Sequence, residues 1–144
     1  MKKIIVLIAF LASFIPAMAN SENPVTPAVL QAFQKQFTGA SQVNWIQNNG
    51  GFKAQFEWNN QYISAIFDST GSLEGIERNI LSTQLPFLLG NNLKEQYKSS
   101  WISGLVEFTS KGKTIYYVTI ENADATTVLR SVKNSWVTVS STIK

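Results

Sequence analysis

The sequence of 144 residues contains no cysteine and no histidine. The absence of cysteine excludes disulfide bonds and the lipid-modified cysteine of a lipoprotein, so the folded domain depends on packing alone. The absence of histidine excludes Ser-His-Asp triads, Cys-His dyads and histidine-based zinc sites. Any catalysis would therefore rest on carboxylates, lysine, serine or tyrosine.

Charged residues are also few, at 15% of the chain, with 12 basic side chains against 9 acidic ones. The basic residues form no run, so nucleic-acid binding is not expected. After residue 20 no apolar stretch approaches the roughly 20 residues that a membrane-spanning helix needs. We therefore expect no nucleic-acid partner and no membrane anchor in the mature chain.

The N-terminus has the three parts of a secretory signal peptide. A basic start at residues 1–3 precedes an apolar run over 4–15, and Ala17-Met18-Ala19 follows as a small-x-small cleavage site. The pattern predicts that residues 1–19 are cleaved and that the mature chain begins at Asn20. The protein is then periplasmic or secreted.

Residues 20–26 are a polar lead-in, and 27–144 are predicted to form a single domain. The domain begins with a helix over 27–38, in which Leu30, Phe33 and Phe37 share one face. Thr26 is the expected N-cap and Gly39 ends the helix. Apolar residues four apart, from Leu85 to Tyr97, predict a second helix.

Each predicted helix is followed by segments in which apolar and polar residues alternate, as they do in half-buried strands. These segments are 42–47, 52–58, 62–68 and 72–80 in the first half, and 101–109, 115–121, 125–131 and 135–142 in the second. Offsets of 60 to 63 residues relate the halves, which indicates an internal repeat with units 27–80 and 81–144. The predicted fold class is α+β, with two tandem helix-plus-four-strand repeats forming antiparallel sheet and the helices packed on one face.

The chain resembles the PepSY-like, β-lactamase-inhibitor-like family of small exported bacterial proteins. The resemblance covers roughly residues 27–143, and its motifs are Val43-Asn44-Trp45, Phe52-x-Ala54-x-Phe56, Ala65-Ile66-Phe67-Asp68-x-x-Gly71-x-Leu73, Leu85-Pro86, and Tyr97 with Ile102. It implies an exported, non-enzymatic domain. It also implies a link to inhibitory proteins that hold an enzyme against the exposed face of a sheet.

No catalytic residue, cofactor or metal site is predicted. Glu57 and Asp68 lie on adjacent predicted strands, and as a pair they are the one candidate for two-carboxylate hydrolysis. Isolated surface carboxylates are far commoner, and Asp68 together with Gly71 is typical of a β-turn.

The aromatic residues are the stronger indication of function. Most fall on apolar faces and belong to the expected core, but Tyr62, Tyr117 and Trp136 fall on the polar side of their strands. With Asp68 and Arg130 they form the predicted protein-binding face, because tyrosine and tryptophan dominate binding hot spots.

The leading interpretation is a non-enzymatic module that binds another envelope or extracellular protein through the open face of its sheet, as an inhibitor or a chaperone-like partner. The alternative is a carrier of a small apolar ligand, held in a pocket between the helices and the sheet and lined by Leu30, Phe33, Phe56 and Leu89. An enzyme is the third possibility.

Overall fold

The structure is a computed structural model that describes residues 25–48 and 50–144. The predicted signal peptide and most of the lead-in lie outside these residues. The helices are α1 (Pro27–Gln36), a short 3₁₀ helix (Ser82–Gln84) and α2 (Phe87–Gln96). The strands are β1 (Ser41–Asn48), β2 (Gly51–Trp58), β3 (Gln61–Asp68), β4 (Leu73–Asn79), β5 (Trp101–Ser110), β6 (Lys113–Glu121), β7 (Ala125–Val132) and β8 (Ser135–Ile143).

All eight strands belong to one antiparallel sheet in the order β1 to β8. Each strand pairs with its neighbour in sequence, and β4 pairs directly with β5, with Ile76 opposite Thr109 and Asn79 opposite Val106. No helix in the described ranges is long and apolar enough to cross a membrane.

The predicted fold class, two tandem helix-plus-four-strand repeats in an α+β domain, is wrong. The protein is a mostly-sheet fold, with eight strands of 7–10 residues in one sheet against two α-helices of 10 residues each. Two separate four-stranded units would each leave an edge of unpaired N–H and C=O groups at β4 and β5. Pairing these two strands satisfies those groups and makes the sheet continuous, which the strand pattern alone did not indicate.

Helix α1 begins where its sequence predicts, at Pro27, and ends at Gln36, two residues before the predicted end. The Thr26 hydroxyl accepts a hydrogen bond from the Val29 N–H at 3.4 Å, and Pro27 occupies the first turn, where its missing N–H costs nothing. Val29 and Phe33 are buried against the sheet, four residues apart on one helix face. The chain leaves the helix at Phe37 and reverses through Gly39, whose φ of 83° favours glycine.

Helix α2 lies on the same side of the sheet, farther along it. Its buried residues are Leu89 and Leu93, which pack with Val118 and Leu129 of the sheet. Pro86 is the N-cap and supplies no side-chain acceptor for the first-turn N–H groups. The helix is continuous through Gly90, although glycine and asparagine in its middle are poor helix formers.

The core consists of two clusters on this helix side. The cluster beneath α1 is aromatic, and the ring centroids of its contacting phenylalanine pairs lie 4.8–6.4 Å apart, in a group formed by Phe33, Phe37, Phe56 and Phe67. The cluster beneath α2 is mostly aliphatic and includes Leu89, Leu105, Val118 and Leu129. Since successive strand side chains point to opposite faces, the residues between these buried positions lie on the far side of the sheet.

Candidate protein-binding face

The far side of the sheet carries neither α1 nor α2, and we call it the open face. On β2, Phe52, Ala54 and Phe56 are buried toward α1, so Lys53 and Gln55 lie on the open face. Residues directly opposite each other on neighbouring strands lie on the same face, so the strand register assigns the residues of the other strands to the open face or the helix side. Further open-face residues are Tyr62, Ser64 and Ile66 on β3, Glu77 on β4, Val106 and Phe108 on β5, Tyr117 on β6, and Arg130 on β7.

Tyr62 lies at one end of the open face, with 61% of its surface exposed. Its hydroxyl donates a hydrogen bond to the side-chain carbonyl of Gln42, and the Gln42 amide donates to Glu57 at 3.0 Å. These bonds tie β1, β2 and β3 together through their side chains. The phenol ring itself stays exposed and available for contact.

An ion pair between Lys53 and Glu77 crosses the middle of the open face, with β3 between the two strands. Both side chains are about three-quarters covered. Because each charge is neutralised by the other, the centre of the face can contact apolar groups without leaving an unpaired ion.

Next to this ion pair lies an apolar hollow of about 380 Å³. Its lining is the side of Glu77 together with four large side chains, which we call the shelf: Ile66, Val106, Phe108 and Tyr117. The Phe108 ring lies over Gly75 of the neighbouring strand, where any Cβ would overlap it. Glycine at this position therefore lets the Phe108 ring approach the backbone of β4 closely.

Tyr117 and Arg130 face each other on adjacent strands. Their neighbours Val118 and Leu129 are fully buried on the helix side, so alternation turns Tyr117 and Arg130 to the open face. Tyr117 is half-buried because it forms part of the shelf, whereas Arg130 is exposed. The structure thus brings these two predicted residues together.

Asp68 lies at the other end of β3 from Tyr62, about 20 Å away for six residues of extended strand. Its carboxylate accepts hydrogen bonds from the Thr70 hydroxyl at 2.6 Å, the Thr70 N–H at 2.8 Å and the Ser72 N–H at 2.9 Å. These bonds, above all that from the Thr70 side chain, hold the pKa of Asp68 below its usual value. Asp68 therefore stabilises the turn between β3 and β4, and it does not form a cluster with Tyr62 and Tyr117.

The placement of Trp136 on the open face is wrong. Trp136 is only 6% exposed, and its indole Nε1 donates a hydrogen bond to the Leu89 carbonyl oxygen of α2 at 3.0 Å. It pairs with the buried Ser131, so both side chains lie on the helix side. Helix α2 buries only Leu89 and Leu93 against the sheet, which leaves space for the Trp136 ring. The buried indole N–H of Trp136 bonds the Leu89 backbone carbonyl.

Three shelf residues were not identified from the sequence: Ile66, Val106 and Phe108. The sequence predicts a strand over 101–109 but does not assign its side chains to one face of the sheet or the other. The available indication was Gly75 inside a predicted strand, since a strand glycine often marks a close approach by a neighbouring group.

The two candidate catalytic carboxylates do not form a pair. Glu57 is opposite Tyr62 and Asp68 is opposite Gly51, so they lie at opposite ends of the β2–β3 ladder. Among the described residues, no three acidic side chains come together in a group that could hold a metal ion.

No protein-family model matches the chain, and no curated protein matches it significantly. Several solved structures share its fold. A BLIP-like protein from Bacteroides fragilis NCTC 9343 aligns over 83% of this chain and 86% of its own, with 17% identity and a TM-score of 0.67. A DUF2874 family protein from Bacteroides uniformis ATCC 8492 aligns over 83% and 89%, with 14% identity and a TM-score of 0.73.

A third structure, named "putative periplasmic proteins" and from Bacteroides eggerthii DSM 20697, aligns over 83% of this chain and 88% of its own, with 11% identity and a TM-score of 0.73. Identities this low establish the fold and nothing finer. The inhibitor-like part of the predicted resemblance is thereby supported at the level of fold, and the PepSY-like part stays a prediction. The chain has the fold of the BLIP-like and DUF2874 structures from Bacteroides.

Proposed function

We propose that this protein is an exported, non-enzymatic module that binds another envelope or extracellular protein through the open face of its sheet. The observation that carries the proposal is the shelf, an aromatic and aliphatic hollow on the face that neither α-helix covers. The nearby ion pair between Lys53 and Glu77 and the exposed Arg130 give it a polar surround. Apolar centres with polar rims are typical of protein interfaces.

The shelf has the right size for one anchoring side chain of a partner. A hollow of about 380 Å³ accommodates a large aliphatic or aromatic group, and Phe108 and Tyr117 would contact it with little loss of side-chain entropy. Residues that fill such pockets contribute about 2 kcal/mol or more to binding. Tyr62 extends the contact surface toward β1.

The carrier hypothesis is weaker, because its ligand space is filled. The region between α1 and the sheet contains Phe33 and Phe56 in edge-to-face contact, with centroids 4.8 Å apart. Phe56 is fully buried there. A ligand at this position would have to displace a packed aromatic core, at a cost of several kcal/mol.

Export is proposed on two grounds. Residues 1–19 have the composition of a signal peptide. One protein of the same fold also carries a periplasmic name. A binding role is favoured over catalysis because the two candidate carboxylates are separated.

Site-specific photocrosslinking in the producing cells tests the proposal. A photoreactive phenylalanine analogue replaces Phe108 in one variant and Phe87, an exposed ring on α2, in the matched control. We expect a discrete protein adduct from position 108 and none from position 87. The adduct should weaken when Tyr117→Ala is added.

Equal labelling at the two positions would contradict the proposal, as would an adduct from position 108 that is insensitive to Tyr117→Ala. Thermal unfolding of each variant establishes that the fold is retained. Activity of the purified protein that depends on Glu57 or Asp68 would instead support the enzyme hypothesis.

A further inference from the structure

Strands β6 and β7 separate before they end. Their ladder runs from Glu121 opposite Thr126 to Tyr117 opposite Arg130, although β6 begins four residues earlier, at Lys113. The Tyr116 N–H donates to the Ser131 hydroxyl at 2.9 Å. The Ser131 hydroxyl thus accepts the bond that a regular ladder would give to the Ser131 backbone carbonyl, and the β6–β7 ladder does not continue beyond this point.

The divergence opens a cavity of about 520 Å³, which we call the notch. It is lined by Leu89 on α2, Lys113 and Tyr116 on β6, and Arg130, Ser131 and Lys133 on and after β7. Two hydrogen bonds hold α2 in place at one wall of the notch. The Trp136 indole donates to the Leu89 carbonyl oxygen of α2. The Asn92 side-chain amide of α2 donates to the Asn134 carbonyl oxygen in the turn between β7 and β8.

The notch has backbone groups that a peptide can pair with. The Tyr116 N–H points toward β7. In an antiparallel strand the backbone N–H and C=O groups of every second residue point to the same side, so those of Thr114 also point toward the β7 side. At Thr114 the β6–β7 ladder has already ended. An extended segment can add to such an edge through its main chain. The volume is also far larger than a single inorganic anion requires.

The charge of the notch selects the kind of peptide. Lys113, Arg130 and Lys133 line it and no carboxylate does. None of the three ion pairs found in the described ranges uses these cations. Glu107 interacts with Tyr116 of the lining, but it bonds Arg78 at 2.6 Å and so is already neutralised.

We propose that the notch binds an extended, acidic peptide segment of a partner protein, with its main chain along the β6 edge at Thr114 and its carboxylates on Lys113, Arg130 and Lys133. Apolar side chains of the segment contact Leu89 and the neighbouring aliphatic lining. Arg130 lies at the boundary between the notch and the open face, but the notch binds peptide whether or not the shelf binds a partner.

Nuclear magnetic resonance titration of the protein with synthetic peptides tests this directly. The probe is the blocked pentapeptide Val-Glu-Val-Asp-Val, and its matched control replaces Glu and Asp with Gln and Asn. We expect the amide signals of Tyr116 and Ser131 to shift with the acidic peptide and to stay unchanged with the neutral one.

Charge variants identify the site. The double substitution Lys113→Gln and Lys133→Gln should weaken binding of the acidic peptide by about tenfold, which is the effect of losing two exposed charge contacts. The double substitution Lys35→Gln and Lys94→Gln removes the same charge from the two helices and should leave the affinity within about twofold of the unmodified protein.

Three results would overturn the proposal: equal binding of the two peptides, equal weakening by the two double variants, or shifts at Tyr116 and Ser131 with inorganic phosphate but not with the acidic peptide. The last result would identify the notch as a small-anion site. None of them bears on crosslinking from the shelf, so the two proposals fail separately.

Discussion

The indole Nε1 of Trp136 lies 3.0 Å from the carbonyl oxygen of Leu89 and donates a hydrogen bond to it. This bond joins the last strand of the sheet to α2. It also gives the indole N–H, the only polar group of the buried side chain, a hydrogen-bond acceptor. It also explains why a tryptophan in a hydroxyl-rich strand belongs to the core rather than to the open face.

Substitutions at Trp136 should therefore destabilise the protein. Trp136→Phe, which keeps a ring but loses the hydrogen bond, should cost about 1–2 kcal/mol, and Trp136→Ala about 3–5 kcal/mol. Trp101→Phe is the control, since Trp101 is exposed, and should change the free energy of unfolding by less than about 0.5 kcal/mol. Urea denaturation measures all three, and equal losses at Trp101 and Trp136 would refute the assignment.

The contact between Gly75 and Phe108 predicts a coupling of their side chains. Gly75→Ala should cost about 1–3 kcal/mol, because the added Cβ displaces the Phe108 ring. In the Phe108→Ala background the same change should cost at least about 1 kcal/mol less. A double-mutant cycle of unfolding free energies measures this difference.

Gly104→Ala is the matched control in another strand, where the nearest side-chain atom to a new Cβ would be the Thr119 Oγ1 at 3.5 Å. It should be tolerated in either background. Additive effects of Gly75→Ala and Phe108→Ala would show that the ring does not rest on the glycine.

Phe37 ends α1 and is 4% exposed among the rings of the aromatic cluster. Phe37→Ala should cost about 3–5 kcal/mol, the range for removing a large aromatic side chain from a core. Phe87→Ala removes the same ring from an exposed position and should cost little. A loss below about 1 kcal/mol at Phe37, measured by denaturant unfolding, would place its ring outside the core.

The hydrogen bonds to Asp68 predict that the stability of the fold depends on pH in the acidic range. The pKa of Asp68 is lowered in the folded protein, chiefly by the Thr70 hydroxyl and the Ser72 N–H, so its ionised form stabilises the fold. This stabilisation is fully present above the unfolded value near 3.8 and is lost as the pH falls through the lower folded pKa.

Thermal midpoints recorded between about pH 2 and pH 6 should fall less steeply for Asp68→Asn than for the unmodified protein. Ser69→Ala alters the same turn while keeping the carboxylate, and its profile should follow the unmodified one. If the Asp68→Asn profile is as steep as that of Ser69→Ala, the carboxylate does not titrate with folding.

Processing of the N-terminus is a separate prediction. Mass spectrometry of the exported protein should identify Asn20 as its first residue, because cleavage is expected after Ala19. Met1 in the exported form would contradict the signal-peptide assignment.

Local chemistry was sufficient to predict the elements. Thr26 and Pro27 mark the start of α1, and alternation along β2 correctly assigns Phe56 to the core and Lys53 to the open face. These features depend on neighbouring residues only, which is why they can be read from one sequence.

The pairing of β4 with β5 and the burial of Trp136 depend on distant parts of the chain. In β8 apolar and hydroxyl side chains are mixed, so alternation did not distinguish its two faces, and the acceptor for Trp136 lies 47 residues away at Leu89. Local sequence does not predict the shelf for the same reason, since Ile66 and Phe108 come together only through the pairing of separate strands.

The order of the strands also determines how the chain finds its fold. Six of the seven strand pairs are closed by links of two to four residues, whereas β4 and β5 are separated by 21 residues that include α2. Closing a short link costs little chain entropy, and proteins rich in such local contacts fold faster than other sheet proteins. Pairing of β5 with β4 therefore closes the longest link and carries the largest loop-closure entropy of the seven strand pairs.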